Sequence, residues 1–145
     1  MVALALKYGA GITLLREVAE REGISEKYLG QILIPLKASG LVISQRGSHG
    51  GYSLARPPED ITVRDVVEAI EGAIAPVPCV DPAAGAGLGE CGESPGGCDR
   101  ATTRVAIRVW KKLRDDIVAS LSSFTIAELA RQVREIDEPA PNYVI

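Results

Sequence analysis

Apolar residues recur at three- and four-residue spacing along most of this chain, and that period predicts a mainly α protein. Residues 3–8 read as the tail of a short helix ending at Gly9 and Gly11. Next, Leu14, Leu15, Val18 and Ala19 form an apolar stripe, with Thr13 as the expected N-cap and Gly23 as the stop. Ser25 is the N-cap of a third helix, with Glu26 near the positive end of its dipole and Tyr28, Leu29, Ile32, Leu33 and Leu36 as its apolar positions. Pro35 falls inside this pattern. It removes a backbone donor, at about 3 kcal/mol in an ordinary helix interior, so a kink or early break is expected near Leu33–Ile34. Gly40 closes the helix.

The pattern then shortens. Residues 41–45 (LVISQ) and 52–55 (YSLA) read as two strands around the tip Arg46-Gly47-Ser48-His49-Gly50-Gly51, whose glycines suit φ > 0. Pro57 and Pro58 end the second strand. Thr62 caps a helix over 63–71, with Val63, Val66, Val67 and Ile70 as its buried stripe. Helices followed by a strand, a glycine-rich tip and a strand are the winged helix-turn-helix order, and the tip is the wing.

Residues 72–99 are rich in Gly, Pro and Ala. They carry Cys79, Cys91 and Cys98 with Asp81, Glu90, Glu93 and Asp99, and no basic residue. A loop of this length in a compact protein is usually functional or disordered. From Arg100 to about Ser122 a long helix follows, in which Ala106, Val109, Leu113, Ile117 and Leu121 form a coiled-coil-like seam. Such a seam predicts pairing with a second subunit, and Trp110 is expected in the core. A last helix covers about 125–135 before a loose tail. The chain thus divides into a winged helix-turn-helix domain (1–78), a cysteine loop (79–99), a dimerisation helix with a C-terminal helix (100–136) and a tail (137–145).

Charge refines this picture. The net value is −3, yet residues 1–58 carry seven Lys/Arg against four Glu, while residues 59–145 carry nine against fifteen acidic groups. The half with the helix-turn-helix pattern is the basic one, as nucleic-acid binding requires. No apolar run approaches the roughly 18 residues of a membrane span. The opening MVALALKYGAG lacks the charged region and cleavage site of a signal peptide, so a cytoplasmic location is expected.

Specific side chains carry the chemistry. Lys27 and Gln31 lie one turn apart on one helix face; Lys reaches guanine or phosphate and Gln reads adenine. Arg46 suits a minor groove or a phosphate. Ser48 and the N–H groups of Gly50 and Gly51 suit the DNA backbone, Lys37 and Arg56 suit phosphates, and His49 reads as a solvated loop residue. Arg100, Arg104, Arg108 and Lys111/Lys112 share a basic face on the long helix. Three cysteines in a cytoplasmic chain point to metal ligation or thiol redox chemistry rather than a disulfide framework. Structural zinc wants four Cys/His ligands, and the single His49 lies in the wing. There is no nucleophile–base pair, phosphate loop or HExxH motif, so an enzyme with a small-molecule substrate is not expected.

The segments GISEKYLGQI, LKASGLV, RGSHGGYSLARPPEDITVRDVVEAIEG and VWKKLRDDIVASLSSFTIAEL, with three cysteines between the last two, together resemble the Rrf-two family of bacterial winged-helix regulators over nearly the whole chain. The resemblance implies a homodimeric transcription regulator, acting as a repressor, that binds a partly palindromic duplex DNA operator. It implies an iron–sulfur cluster, 2Fe-2S favoured over 4Fe-4S, on Cys79, Cys91 and Cys98. It also places the recognition helix from Ser25, with Lys27, Tyr28 and Gln31 facing DNA and Arg46 heading the wing. Family members usually begin further upstream of the position of Met1. Gly30 stands where several carry an acidic residue that tunes operator choice. The C-x11-C-x6-C spacing opens with a longer gap than in the best-known members, and no His follows Cys98. Asp99, Glu93, Glu90 and a residue of the partner subunit are the candidates for a fourth ligand.

Overall fold

The structure is a computed structural model and describes residues 1–47, 50–82 and 101–137. Helix α1 (Val2–Leu6) leads into α2 (Leu15–Glu22) and α3 (Glu26–Ala38). Strands β1 (Val42–Gln45) and β2 (Gly51–Leu54) form an antiparallel hairpin, with Val42 opposite Leu54 and Gln45 opposite Gly51. A 3₁₀ turn at Pro58–Asp60, α4 (Val63–Glu71), a 3₁₀ turn at Pro78–Val80, α5 (Ala101–Ser122) and α6 (Ile126–Asp137) complete the described chain. The protein is mainly helical with a two-stranded wing, and three helices precede the wing as expected.

Local chemistry sets several boundaries. Ser25 Oγ accepts the N–H of Tyr28 at 3.2 Å, which caps α3. Thr62 and Asp65 form a capping box on α4: Thr62 Oγ1 accepts from the Asp65 N–H at 3.1 Å, and the Thr62 N–H donates to the Asp65 carboxylate at 2.9 Å. Gly23 ends α2 at φ 65°, a left-handed conformation that glycine adopts without penalty.

Four expectations are corrected. First, α3 is unbroken to Ala38 despite Pro35. The proline stands in the last turn, where its missing N–H costs one backbone bond and little helix follows for a kink to redirect. Leu33 and Leu36 on either side of it are buried and hold the helix down. Second, Thr13 does not cap α2, whose N-cap is Leu14 without a side-chain bond. Thr13 is only 3% exposed and exchanges two backbone bonds of 2.9 Å with Tyr52, adding one residue of ladder to the wing. Third, the stripe of α4 is half-buried and Ile70 is exposed, because that face borders a hollow of about 550 Å³ lined by Met1, Val18, Ile32, Val66 and Leu129. Fourth, Gly50 and Gly51 are not at positive φ; of the wing glycines described, only Gly47 is, at 121°.

Gly50 and Gly51 answer a different need. A Cβ on Gly50 would lie 2.5 Å from the Gln45 carbonyl oxygen. On Gly51 it would run into Ile12 Cγ2 and lie 2.5 Å from the Thr13 carbonyl oxygen. The Thr13–Tyr52 ladder therefore requires a missing side chain at Gly51. Gly51→Ala is expected to cost about 2 kcal/mol, in the range of overpacked sites. Urea denaturation checks it, and an unchanged midpoint would mean that the ladder yields freely.

The core is one cluster: Leu4 and Ala5 of α1, Ala19 of α2, Leu29, Leu33 and Leu36 of α3, Leu41, Val42 and Leu54 of the wing, Ile61, and Ile126 and Ala130 of α6. The C-terminal helix thus belongs to the same core as α3 and the wing. Backbone bonds lock it there: the Val63 N–H donates to the Phe124 carbonyl at 2.9 Å, and the Ile126 N–H to the Ile61 carbonyl at 2.8 Å. Lys37 Nζ donates to Ser44 Oγ at 2.6 Å, so the end of α3 is tied to the wing.

Candidate nucleic-acid interface

Helix α3 buries Leu29, Leu33 and Leu36, and that side faces the core. The 3.6-residue period therefore turns Lys27, Gln31, Ile34 and Ala38 to the opposite side, with Tyr28 on its flank. All five are exposed, and so is Ser25 at the start of the helix. The residues expected to read bases stand together on one solvent-facing side of a rigid element. The Ser25 hydroxyl oxygen is already an acceptor in the cap, which leaves its hydrogen free to donate outward, for instance to a phosphate. Ile34 was not singled out from the sequence. Counting three residues on from Gln31 and seven from Lys27 would have found it, because those intervals return to the same helix face.

The phosphate candidates are distributed differently. Arg46 is exposed at the end of β1. Arg56 pairs with Asp65 at 3.3 Å, and Lys37 bonds Ser44, so either would exchange an internal partner for a phosphate. Gly50 is half-buried and its N–H donates to the Gly47 carbonyl at 2.9 Å. That internal bond competes with the phosphate contact expected of it. Ser48 and His49 lie outside the described residues.

Of the cysteines, Cys79 is described, in the turn Pro78–Val80. Cys91, Cys98, Glu90, Glu93 and Asp99 lie outside the described residues. Among the described residues no group of three His, Cys, Asp or Glu is gathered for a metal. The three thiolates of the sequence are a donor set suited to iron–sulfur ligation. A disulfide is the oxidised alternative for the same sulfur. The turn that holds Cys79 rests on α5: Val80 is buried, and Arg114 Nη1 donates to its carbonyl at 2.8 Å.

Helix α5 runs 22 residues, roughly 33 Å, with no buried residue. Val105, Val109 and Leu113 are exposed, and Ile117 and Leu121 are half-buried. Trp110 is 39% exposed, which corrects its expected place in the core. Of the basic face, Arg104, Arg108 and Lys111 are exposed, and Lys112 pairs with Asp116 one turn on. Arg100 lies outside the described residues, and so does the tail from residue 138. No described helix is long and apolar enough to cross a membrane.

Comparison with known proteins gives a consistent result. The sequence profile of Rrf2, described as an iron-dependent transcriptional regulator, matches residues 1–132. The chain is 35% identical over 130 residues to the HTH-type transcriptional regulator CymR of Bacillus subtilis, covering 90% of this chain and 80% of that protein. The structure of CymR, the global cysteine regulator of B. subtilis, superposes with a TM-score of 0.66 at 34% identity, covering 90% of this chain and 87% of that one. The HTH-type transcriptional regulator IscR of Escherichia coli is 30% identical over 137 residues, covering 94% of this chain and 76% of that protein. The structure of T. potens IscR superposes with a TM-score of 0.68 at 32% identity, covering 96% of this chain and 83% of that one.

Proposed function

Because the chain belongs to the Rrf2 family of transcription regulators, it is a DNA-binding regulator and not an enzyme, and we propose that it is a homodimeric repressor whose operator affinity is controlled by an iron–sulfur cluster on Cys79, Cys91 and Cys98. The observation that carries the DNA-binding part is the exposed face of α3, where Lys27 and Gln31 stand free of internal ion pairs beside the capping Ser25. A rigid helix with such a face fits the major groove. Arg46 at the wing then approaches the adjacent backbone or minor groove, and Lys37 and Arg56 add phosphate contacts.

The exposed seam of α5 supports pairing with a second copy, which would cover Val105, Val109, Trp110 and Leu113 and set two α3 helices on a partly palindromic operator. A cluster held by the three thiolates supplies a redox-active cross-link between the cysteine loop and the turn Pro78–Val80. That turn rests on α5 through Val80 and Arg114, so its packing bears on the helix that places the two DNA-reading domains. A tenfold change in operator affinity needs only about 1.4 kcal/mol of such coupling.

Protein purified without oxygen is expected to show visible thiolate-to-iron absorption with matching iron and acid-labile sulfide. Cys91→Ala is expected to lose those bands and to bind duplex DNA equally well under iron-replete and iron-depleted conditions. Affinity is expected to fall steeply with salt, as phosphate neutralisation requires. A variant that still responds to iron would sink the coupling. The same three thiols support a second reading, an iron-free regulator switched by thiol oxidation. A colourless protein that resists reconstitution, with DNA binding that changes on thiol oxidation, would select that reading.

A further inference from the structure

Ile34 is 68% exposed, in the middle of the side of α3 that carries Lys27 and Gln31. Leu29, Leu33 and Leu36 already fill the core side, so packing within the chain does not account for Ile34. No acidic residue shares its face: Glu26 lies about a quarter-turn or more away, and position 30 is glycine. The surroundings are cationic and polar, with Lys27 and Gln31 on the same face and an excess of positive charge over residues 1–58. That charge suits a polyanion rather than an apolar protein partner. A β-branched side chain in a helix holds one strongly preferred χ1, so its methyl groups are fixed in place and little freedom is lost on contact. In the major groove the apolar feature of a base edge is the C5 methyl of thymine.

We propose that Ile34 is a specificity-determining residue that packs against a thymine C5 methyl in the operator, beside the bases read by Lys27 and Gln31. This rests on the reading of α3 as the recognition helix. It adds to that reading a base identity and a contact made without hydrogen bonds.

The test begins with the full chain and a random duplex pool, from which bound duplexes are enriched and a consensus obtained. Each thymine of that duplex is then replaced by deoxyuridine, which removes only the methyl group. At one thymine per half-site the wild-type protein is expected to lose about fourfold in affinity, the factor that matches one methyl-sized burial. Ile34→Ala is expected to bind the thymine duplex that much more weakly and to be indifferent to deoxyuridine at that position alone. Its side chain is exposed, so its thermal midpoint should match wild type. Wild-type indifference to every deoxyuridine would overturn the proposal, and so would equal losses in wild type and Ile34→Ala at each position. If no duplex is enriched at all, the recognition-helix reading fails, and the contact with it.

Discussion

Lys27→Ala combined with Gln31→Ala is expected to weaken operator binding by about 100-fold, since one good base contact carries about 1–3 kcal/mol and each 1.4 kcal/mol is tenfold. Both side chains are exposed, and neither has an internal partner among the described residues. Their removal should therefore leave stability within about 0.5 kcal/mol of wild type. Fluorescence anisotropy at one fixed salt concentration reads the affinity, and urea denaturation reads the stability. Arg46→Ala provides the contrast. A phosphate or minor-groove contact at the wing should weaken binding to many sequences alike and flatten the salt dependence. If the double variant loses nothing against a specific duplex, α3 is not the element that reads bases.

Ile61→Ala should destabilise the fold by about 3–4 kcal/mol, toward the upper part of the range for large-to-small core changes. Ile61 is 0% exposed and lies where three parts of the molecule meet. Its carbonyl accepts from Ile126, and the neighbouring Val63 is bonded to Phe124. Deletion leaves a cavity in a segment pinned on both sides, so its walls have little freedom to collapse inward. Such a loss is a large share of the 5–15 kcal/mol that typical domains possess. A shift of less than about 1 kcal/mol in urea would mean that the site relaxes and that the lock between the two halves is loose.

Features decided within a few residues were legible in the sequence. Ser25 and Thr62 are caps because the groups they bond lie three residues ahead, and a periodic stripe announces the helix behind each. Thr13 had the same local credentials, yet a partner 39 residues away, Tyr52, took its backbone instead. The glycines of the wing were legible as necessary but not for the right reason. Gly51 is required by Ile12 and Thr13, which no window around residue 51 contains. Pro35 misled in the opposite direction, because a local penalty was outweighed by buried leucines on both sides of it. On the candidate site, the exposed face of α3 followed from helix period alone. Ile34 escaped because an apolar residue on a polar face carries no charge to draw attention. Trp110 looked like core because its surroundings in one chain are invisible to a pattern.

The placement of α6 bears on how the protein is made. Arg134 Nη2 reaches the Leu6 carbonyl at 3.4 Å across 128 positions of chain, and Ile126 and Ala130 complete the cluster begun by Leu4 and Ala5. During synthesis the amino-terminal end must therefore wait for nearly the last helix to emerge before its core can close. Contacts between such distant positions slow folding, and the leucines of α1 and α3 remain open to other chains in the interval. A nascent chain halted before α6 is expected to be sensitive to protease and bound by chaperones. One halted beyond it, with α6 clear of the ribosome, should be resistant. The order of translation thus withholds a competent regulator until the whole chain, α5 included, has been built.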